Sequence, residues 1–216
     1  MKIQYAGHAC FILDGSKKIV IDPMPLEDKI DADIVLLTHA HEDHMGTHPE
    51  AFKKVYAIHE LALWLETQGV NAVGMNLGGT VYDGDIAITM VPALHSSSLI
   101  DANGCSVYMG EPCGFIISMD GKTIYHAGDT ALFSDMTLLR NLYHPDVAML
   151  PAGGKYTMGP DEAMMAAEMV GAPLIIPMHY NTFPAIAQDL TGFKNAIEST
   201  TSMTVELMHP GSELVL

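Results

Sequence analysis

The sequence predicts an α/β fold in which two sheets pack together and are flanked by helices. Short apolar runs rich in Ile, Val and Leu occur at residues 34–37 and 174–176, and such runs are typical of central strands covered on both faces. Residues 60–68 and 161–170 have helical spacing, and the second segment opens with Pro160, Asp161 and Glu162, which favour a helix N-terminus. Two sheets between helical layers is the simplest assembly of these elements.

An internal echo predicts that the chain consists of two similar βα halves. Residues 11–21 contain a hairpin pattern with a turn at Asp14-Gly15, and residues 115–125 repeat it around Asp120-Gly121. The sequence contains no Pro/Ser-rich tract, charge block or low-complexity segment that would indicate a linker. We therefore expect a single domain over residues 1–216, with halves at about 1–113 and 114–216.

Composition limits the classes of partner. Hydrophobic residues make up 49% of the chain and charged residues 17%, as expected of a globular protein with a sizeable core. The formal charge of −16 would repel a phosphate backbone, so we expect no nucleic-acid partner. No apolar run is long enough to span a membrane and the first residues lack the pattern of a signal peptide, so a cytoplasmic location without membrane association is expected. The formation of a homo-oligomer is compatible with the sequence.

A dense group of metal-binding residue types directly follows the apolar run at 34–37. The string Thr38-His39-Ala40-His41-Glu42-Asp43-His44 carries three imidazoles and a carboxylate within six positions. A solvated His-rich loop is the alternative, but such groups at the mouth of a sheet would be poorly satisfied without a cation. Since His39 and His41 can point to one side while Asp43 and His44 turn to another, one loop could serve two metals.

Further ligands have to come from elsewhere, because tetrahedral zinc needs about four. Three candidates each follow an apolar β-like run: His95, Asp129 and His179. Taken singly, a lone His at a strand end is more often a hydrogen-bonded core or rim residue than a ligand. Their shared position after strands favours a common metal site.

The order of these residues resembles the metallo-β-lactamase superfamily. That family is recognised by H-x-H-x-D-H, here residues 39–44, followed by an isolated His, a Gly-Asp-Thr and a last His after a strand. The segments Gly7-His8-Ala9-Cys10-Phe11, Ile21-Asp22-Pro23 and Thr157-Met158-Gly159-Pro160 look like a branch of small metal-dependent hydrolases similar to the ascorbate-6-phosphate lactonases. The resemblance implies a four-layer αββα sandwich.

Carried over to this chain, the resemblance also implies a dinuclear metal site. His39, His41 and His95 would hold the first metal, Asp43, His44 and His179 the second, and Asp129 would bridge them. We expect two Zn²⁺ ions, with Mn²⁺ or Fe²⁺ as alternatives, since imidazole and carboxylate suit all three. Coordination lowers the pKa of water to about 7, which would supply a metal-bound hydroxide nucleophile at neutral pH.

Several residues outside the ligand set also invite interpretation. Asp43 and His8 are the candidate catalytic residues: Asp43 would orient the water or accept its proton, and His8 would line the site or hold a ligand in place. For His8 a hydrogen-bonded core histidine is the alternative. Asp22 would orient the metal-binding loop or make an Asx turn. His126 is interpreted as a core residue, because period two turns it away from Asp129.

Other positions are assigned weaker roles. Lys155 would bind an anion or simply be solvated. Residues 96–113 would shape the substrate pocket or form an extra hairpin. The remaining histidines have no motif position and are interpreted as structural: His48, His59, His144 and His209.

The sequence therefore predicts a metal-dependent hydrolase of a small-molecule ester, lactone or phosphoester, with a phosphorylated lactone favoured by the resemblance alone. The first alternative is a phosphodiesterase or nuclease-like enzyme acting on nucleotides or RNA, against which the single arginine argues. The second is a non-catalytic metal-binding protein, which would normally have lost ligands.

Overall fold

The computed structural model describes residues 1–26, 31–46 and 52–216, and within these ranges most strands belong to two seven-stranded sheets. The first sheet contains strands from the N-terminal part of the chain and the C-terminal strand. In chain order they are β1 (Lys2–Gly7), β2 (Cys10–Asp14), β3 (Lys18–Ile21), β4 (Ile34–Leu36), β5 (Val55–Ile58), β6 (Ala72–Met75) and β16 (Glu213–Val215). Their spatial order is β16-β1-β2-β3-β4-β5-β6.

The second sheet begins with the next strand along the chain. It contains β7 (Thr80–Asp83), β8 (Ile86–Pro92), β11 (Cys113–Met119), β12 (Lys122–His126), β13 (Val147–Pro151), β14 (Leu174–Met178) and β15 (Thr204–Val205), in the spatial order β15-β14-β13-β12-β11-β8-β7. Between β8 and β11, the short strands β9 (Ser98–Ile100) and β10 (Ser106–Tyr108) form a separate antiparallel hairpin. Residues 96–113 thus contain the predicted extra hairpin.

The two sheets share one arrangement of strands. In each, a run of four parallel strands, β3 to β6 or β12 to β15, adjoins strands paired antiparallel. Both hairpins predicted at Asp-Gly turns are present, with Asp14 opposite Lys18 and Met119 opposite Lys122. This repetition agrees with the predicted echo.

The boundary between the sheets differs from the predicted division near residue 114. The chain passes from the first sheet to the second between β6 and β7, so β7 and β8 already pair within the second sheet. The sequence echo began only at the β11–β12 hairpin. Strand β8 is the antiparallel neighbour of β11 as β1 is of β2, but it has no recognisable sequence counterpart, so the echo does not extend to it.

Helices cover the outer faces of both sheets, except for the one-turn α1, which lies in the loop after β4. They are α1 (Glu42–Met45), α2 (His59–Thr67), α3 (Met136–Tyr143), α4 (Pro160–Val170) and α5 (Thr191–Thr200). Helix α2 packs on β5 and β6, whereas α4 packs on β13, α5 on β15 and α3 on α4. The layers are helix, sheet, sheet and helix, as the resemblance implied. Both predicted helices, at 60–68 and 161–170, are present.

Burial explains why the strands lie where they do. Every residue of β4, β5 and β13 is buried, as expected of central strands covered on one face by helices and on the other by the second sheet. Strand β1, near the edge, alternates half-buried and buried residues. No helix in the described part of the chain is both long and apolar enough to cross a bilayer.

Candidate metal centre

The predicted ligands meet where strands of the two sheets end. His39 follows β4, and His41 directly precedes the one-turn helix α1, which carries Asp43 and His44. In the second sheet, three loops supply the rest: His95 follows β8, Asp129 follows β12 and His179 follows β14. The loops touch at Thr38, whose carbonyl oxygen accepts a hydrogen bond of 2.9 Å from the backbone N–H of Cys113.

The first group consists of His39, His41 and His95. One ring nitrogen of each lies within 4.8 Å of the others, and His39 Nε2 is 3.0 Å from His41 Nδ1. Burial lowers the pKa of all three imidazoles, that of His39 most strongly, because the charged form loses hydration. They are therefore neutral at physiological pH, the state in which imidazole binds a metal.

The second group brings together Asp43, His44 and His179, with His8 as an additional member. Helix α1 supplies Asp43 and His44, so the loop divides its side chains between the two groups as the sequence predicted. The ring centroids of His8 and His179 are 4.0 Å apart, and the backbone N–H of His179 donates a hydrogen bond of 2.8 Å to the His8 carbonyl oxygen. The turn between β1 and β2 is thereby fixed to the end of β14.

Asp129 lies between the two groups. Its Oδ2 is 3.6 Å from His95 Nε2 in the first group, and 3.4 and 3.0 Å from the Nε2 atoms of His44 and His179 in the second. A single carboxylate with contacts to both groups has the position expected of a bridging ligand.

The donor set fits bound divalent metal because buried polar atoms crowd around Asp129 without a well-directed hydrogen bond, although Asp129 Oδ2 lies close to both histidine nitrogens. These atoms are His44 Nε2, Asp129 Oδ1 and His179 Nε2. Burying such groups unpaired costs ~1–3 kcal/mol each, and native structures avoid it. Nitrogen and carboxylate donors converging on a shared centre are also the ligands that zinc and related divalent metals take.

Asp22 orients one histidine from each group. Its Oδ2 accepts a hydrogen bond of 2.7 Å from His44 Nδ1 and another of 2.7 Å from the Thr38 hydroxyl, while Oδ1 accepts from the Thr38 backbone N–H at 2.9 Å. Because that hydroxyl donates to Asp22, it accepts from His39 Nδ1 at 3.0 Å. Both rings therefore turn Nε2 towards the centre, so Asp22 has the loop-orienting role that the sequence suggested.

A hydrogen bond from His8 fixes the Asp43 carboxylate, as the hydrogen bond to Asp22 fixes the His44 ring. Burial lowers the His8 pKa despite the nearby carboxylate, so the ring is neutral and one nitrogen donates while the other accepts. His8 Nε2 lies 3.1 Å from Asp43 Oδ2, and Nδ1 lies 3.1 Å from the Thr182 hydroxyl. This pattern assigns Nε2 as the donor to Asp43 and Nδ1 as the acceptor from Thr182.

The carboxylates and His44 are coupled electrostatically. Burial opposes ionisation of Asp43, but the His8 hydrogen bond and His44 lower its pKa to about 2. Burial also opposes the charged forms of His44 and Asp129, yet each stabilises the other, so the His44 pKa is raised and the Asp129 pKa is lowered. A cation that takes the His44 Nε2 position must displace a proton.

Three site residues have left-handed backbone conformations that non-glycine residues rarely adopt. The φ angles are 57° at His8, 46° at Asp22 and 55° at His179. Such conformations cost about 1 to 3 kcal/mol and cluster at functional sites. Gly128, in the loop that carries Asp129, has φ 62°, and an added Cβ there would collide with the Cys113 carbonyl oxygen and crowd Thr38, which follows β4 of the first sheet. Close approach of the two sheets' loops therefore requires glycine next to Asp129.

Sequence reasoning missed the threonines beside the ligands. Thr38 and Thr182 make the bonds described above. The Thr130 hydroxyl accepts a hydrogen bond of 2.9 Å from the backbone N–H of Leu94, which joins the loops that carry His95 and Asp129. The sequence does contain a signal for two of them, because Thr38 directly precedes His39 and Thr130 directly follows Asp129.

The other singled-out residues are arranged as follows. His126 Nε2 donates to the Ala9 carbonyl oxygen at 2.8 Å and its Nδ1 accepts from the Gly128 N–H at 3.1 Å, so it is a satisfied core residue, as predicted. The exposed Lys155 lies over the Tyr156 ring, 4.8 Å from the centroid. His59, His144 and His209 lie outside the cluster, and His48 lies outside the described residues.

A cavity of about 260 Å³ opens over the centre and is lined by His41, Asp43, His95, Ser96, Asp129, Tyr156 and His179. A wider cleft of about 480 Å³ shares His41 and Asp43 with it, and its other walls include Ile100 of the β9–β10 hairpin and Phe183. The hairpin therefore also shapes the pocket, so both expectations for residues 96–113 apply.

Sequence comparison agrees with this geometry: the model of a family described as the beta-lactamase superfamily domain matches residues 2–179. The chain belongs to this family. A relative from Methanocorpusculum labreanum, described as a UPF0173 metal-dependent hydrolase, is 56% identical and aligns over 100% of both chains. A second, from Archaeoglobus fulgidus and with the same description, is 44% identical and aligns over 98% of this chain and 97% of its own.

Solved structures show the same metallo-β-lactamase fold. Igni18, described as a metallo hydrolase from Ignicoccus hospitalis, is 38% identical with a TM-score of 0.88, and the match covers 99% of this chain and 97% of Igni18. An isothiocyanate hydrolase from Delia radicum gut bacteria is 21% identical with a TM-score of 0.79 over 100% and 99% of the two chains, which shows a shared fold alone. The predicted family and fold are thus confirmed.

Proposed function

We propose that this metal-dependent hydrolase holds two divalent cations and directs water against a small-molecule ester or lactone. The observation that carries the proposal is the convergence of buried ligand types: His44 Nε2 and His179 Nε2 lie 3.4 and 3.0 Å from Asp129 Oδ2 without a well-directed hydrogen bond, beside the His39, His41 and His95 trio. The ligands we assign are His39, His41 and His95 to one cation and Asp43, His44 and His179 to the other, with Asp129 shared. Zn²⁺ is the cation we expect.

When bound, the cations would supply Lewis acidity that activates water and polarises the oxygen under attack. The chain's own residues then have to orient the reactants. Asp43 is ionised at neutral pH, since its pKa is about 2, so it accepts hydrogen bonds and does not act as an acid. His8 fixes its Oδ2, so the carboxylate is held beside His44 and His179. We assign Asp43 and His8 to water orientation in this way.

The cavity limits what can react. A volume of about 260 Å³ over the centre admits a small molecule. Among the described residues its lining contains one serine and no cysteine. The Ser96 hydroxyl lies 3.5 Å from His41 Nε2, at the limit of a hydrogen bond, and we assign that imidazole to a cation, so it is not free to act as a base for Ser96. Direct attack by water is therefore the mechanism that the described residues support best.

The test is metal analysis of protein purified without added metal, followed by assays of that form against lactones, carboxylic and thio esters, and phosphodiesters. We expect close to two metals per chain and turnover of a lactone or ester that chelation abolishes and Zn²⁺ restores. Preference for phosphodiesters would favour the nucleotide-directed alternative. A full metal complement without turnover of any substrate would indicate a non-catalytic metal-binding protein.

A further inference from the structure

The mouth of the site is continuous over three cavities. The cavity over the centre shares His41 and Asp43 with the cleft at Phe183, and it shares His95 and Ser96 with a third cavity of about 350 Å³ beside the β9–β10 hairpin. A substrate whose reacting group sits at the centre must therefore extend its other groups along the walls of these two flanking cavities.

Charge along these walls is negative. Within the described part of the chain, the residues lining the three cavities include no lysine or arginine, whereas the exposed Glu42 and Glu111 line the flanking two. Glu111 Oε1 accepts a hydrogen bond of 2.7 Å from the Tyr108 hydroxyl, which holds this carboxylate at the rim. Phosphate and carboxylate recognition normally uses Arg or Lys, and an anionic group in either flanking cavity would meet like charge. Lys155 lies over the Tyr156 ring at the central cavity and lines neither of the flanking two.

The walls also present apolar surface. Ile100 is 61% exposed and Phe183 46% exposed, and both line the cleft next to Asp43. The Phe183 ring is held edge-on to His8, with centroids 5.5 Å apart. Exposed apolar side chains on the walls of a cleft gain free energy when a ligand covers them.

We propose that, beyond its reacting group, the substrate is uncharged and carries an alkyl or aromatic part that lies against Ile100 and Phe183. This inference rests on the proposed function and names its substrate class. A phosphorylated lactone, whose phosphate is remote from the lactone bond, does not fit this class, so the choice suggested by family resemblance alone is replaced.

The test compares two substrates of similar length with the metal-loaded enzyme: 4-nitrophenyl butyrate and the mono-4-nitrophenyl ester of succinic acid. We expect kcat/KM for the butyrate to be higher by about tenfold or more, the factor that corresponds to 1.4 kcal/mol. Added salt should reduce this difference in kcat/KM, because salt screens the exposed carboxylates. Glu111→Gln should also reduce the difference, whereas Glu168→Gln, an equal charge change on the exposed face of α4, should not.

The apolar wall is tested by Phe183→Ala and Ile100→Ala. Each should lower kcat/KM for the butyrate several-fold relative to 4-nitrophenyl acetate, with metal content unchanged, whereas Leu142→Ala on exposed α3 should leave the ratio unaltered. All rates are corrected for hydrolysis without enzyme, because the succinate carboxylate attacks its own ester. An equal or higher enzyme-dependent kcat/KM for the succinate ester would overturn the inference and leave the proposed function standing. Inactivity on both esters and on the lactones and thioesters named above, with two metals bound, would overturn the proposed function and this inference with it.

Discussion

Asp22 Oδ2 lies 2.7 Å from His44 Nδ1, and both side chains are completely buried. The same carboxylate reaches His39 through the Thr38 hydroxyl. One acid from the end of β3 thus sets the orientation of a histidine in each group, so the two candidate metal positions depend on a residue that binds neither metal.

Replacing Asp22 is therefore expected to weaken both metal positions. Asp22→Ala leaves the Thr38 N–H and the His44 Nδ1–H without acceptors, which should lower the free energy of unfolding by about 3 kcal/mol and metal affinity by roughly 10–100-fold. Denaturant unfolding and metal titration measure the two effects. Glu66→Ala, an exposed change on α2, is the control. Unchanged affinity at either position would contradict the assigned role.

Thr182 and His8 should affect turnover more than metal content. Thr182→Val removes the hydroxyl that donates to His8 Nδ1, so we expect a several-fold lower kcat with two metals retained. His8→Ala frees Asp43 Oδ2 and should lower kcat further, by about 10–100-fold. Thr137→Val, on exposed α3, is a matched control for the first substitution. Loss of a metal from His8→Ala would instead identify His8 as a ligand.

Metal binding should depend on pH differently at the two positions. The pKa values of His39, His41 and His95 are lowered, chiefly by burial, so these rings are mostly neutral by neutral pH, and metal affinity at the first position should change little as the pH rises further. The His44 pKa is raised because Asp129 and Asp22 outweigh burial. A cation must therefore displace its proton, and affinity at the second position should rise with pH.

Calorimetry in buffers of different ionisation enthalpy checks this difference. The first equivalent of Zn²⁺ should bind without release of a histidine proton, and the second should release about one. His44→Gln should abolish the second binding event and its proton. Equal proton release by both equivalents would contradict the assignment.

Gly128 should tolerate no side chain. Its φ of 62° and the adjacent Cys113 carbonyl oxygen both disfavour a Cβ. Gly121, at φ 73° with open space around it, is the matched control. We expect Gly121→Ala to cost about 1 kcal/mol in stability and Gly128→Ala considerably more, with loss of metal because Asp129 is displaced. Denaturant unfolding and metal analysis separate the outcomes, and equal costs would show that crowding by Cys113 is unimportant.

Some features of the fold can be predicted from short stretches of sequence, because interactions between residues a few positions apart determine them. The apolar runs of β4 and β14, the Asp-Gly turns and the Pro160 start of α4 depend on neighbours within a few residues. The spacing of His39, His41, Asp43 and His44 likewise indicates that one loop could serve two metals, since an extended or tightly turned segment can direct its side chains to two sides. The sheet boundary could not be found locally, because the pairing of β8 with β11 is a long-range contact.

The sequence by itself determined the composition of the site: which imidazoles and carboxylates are available, and that they follow strands. Only the tertiary structure decided how they are oriented and what surrounds them. Thr182 lies 174 positions from His8, and the walls at Ile100, Glu111 and Phe183 come from separate loops. Hydrogen bonds and charges act over a few ångströms of space whatever the separation along the chain, so these relationships exist only once the strand ends have been brought together.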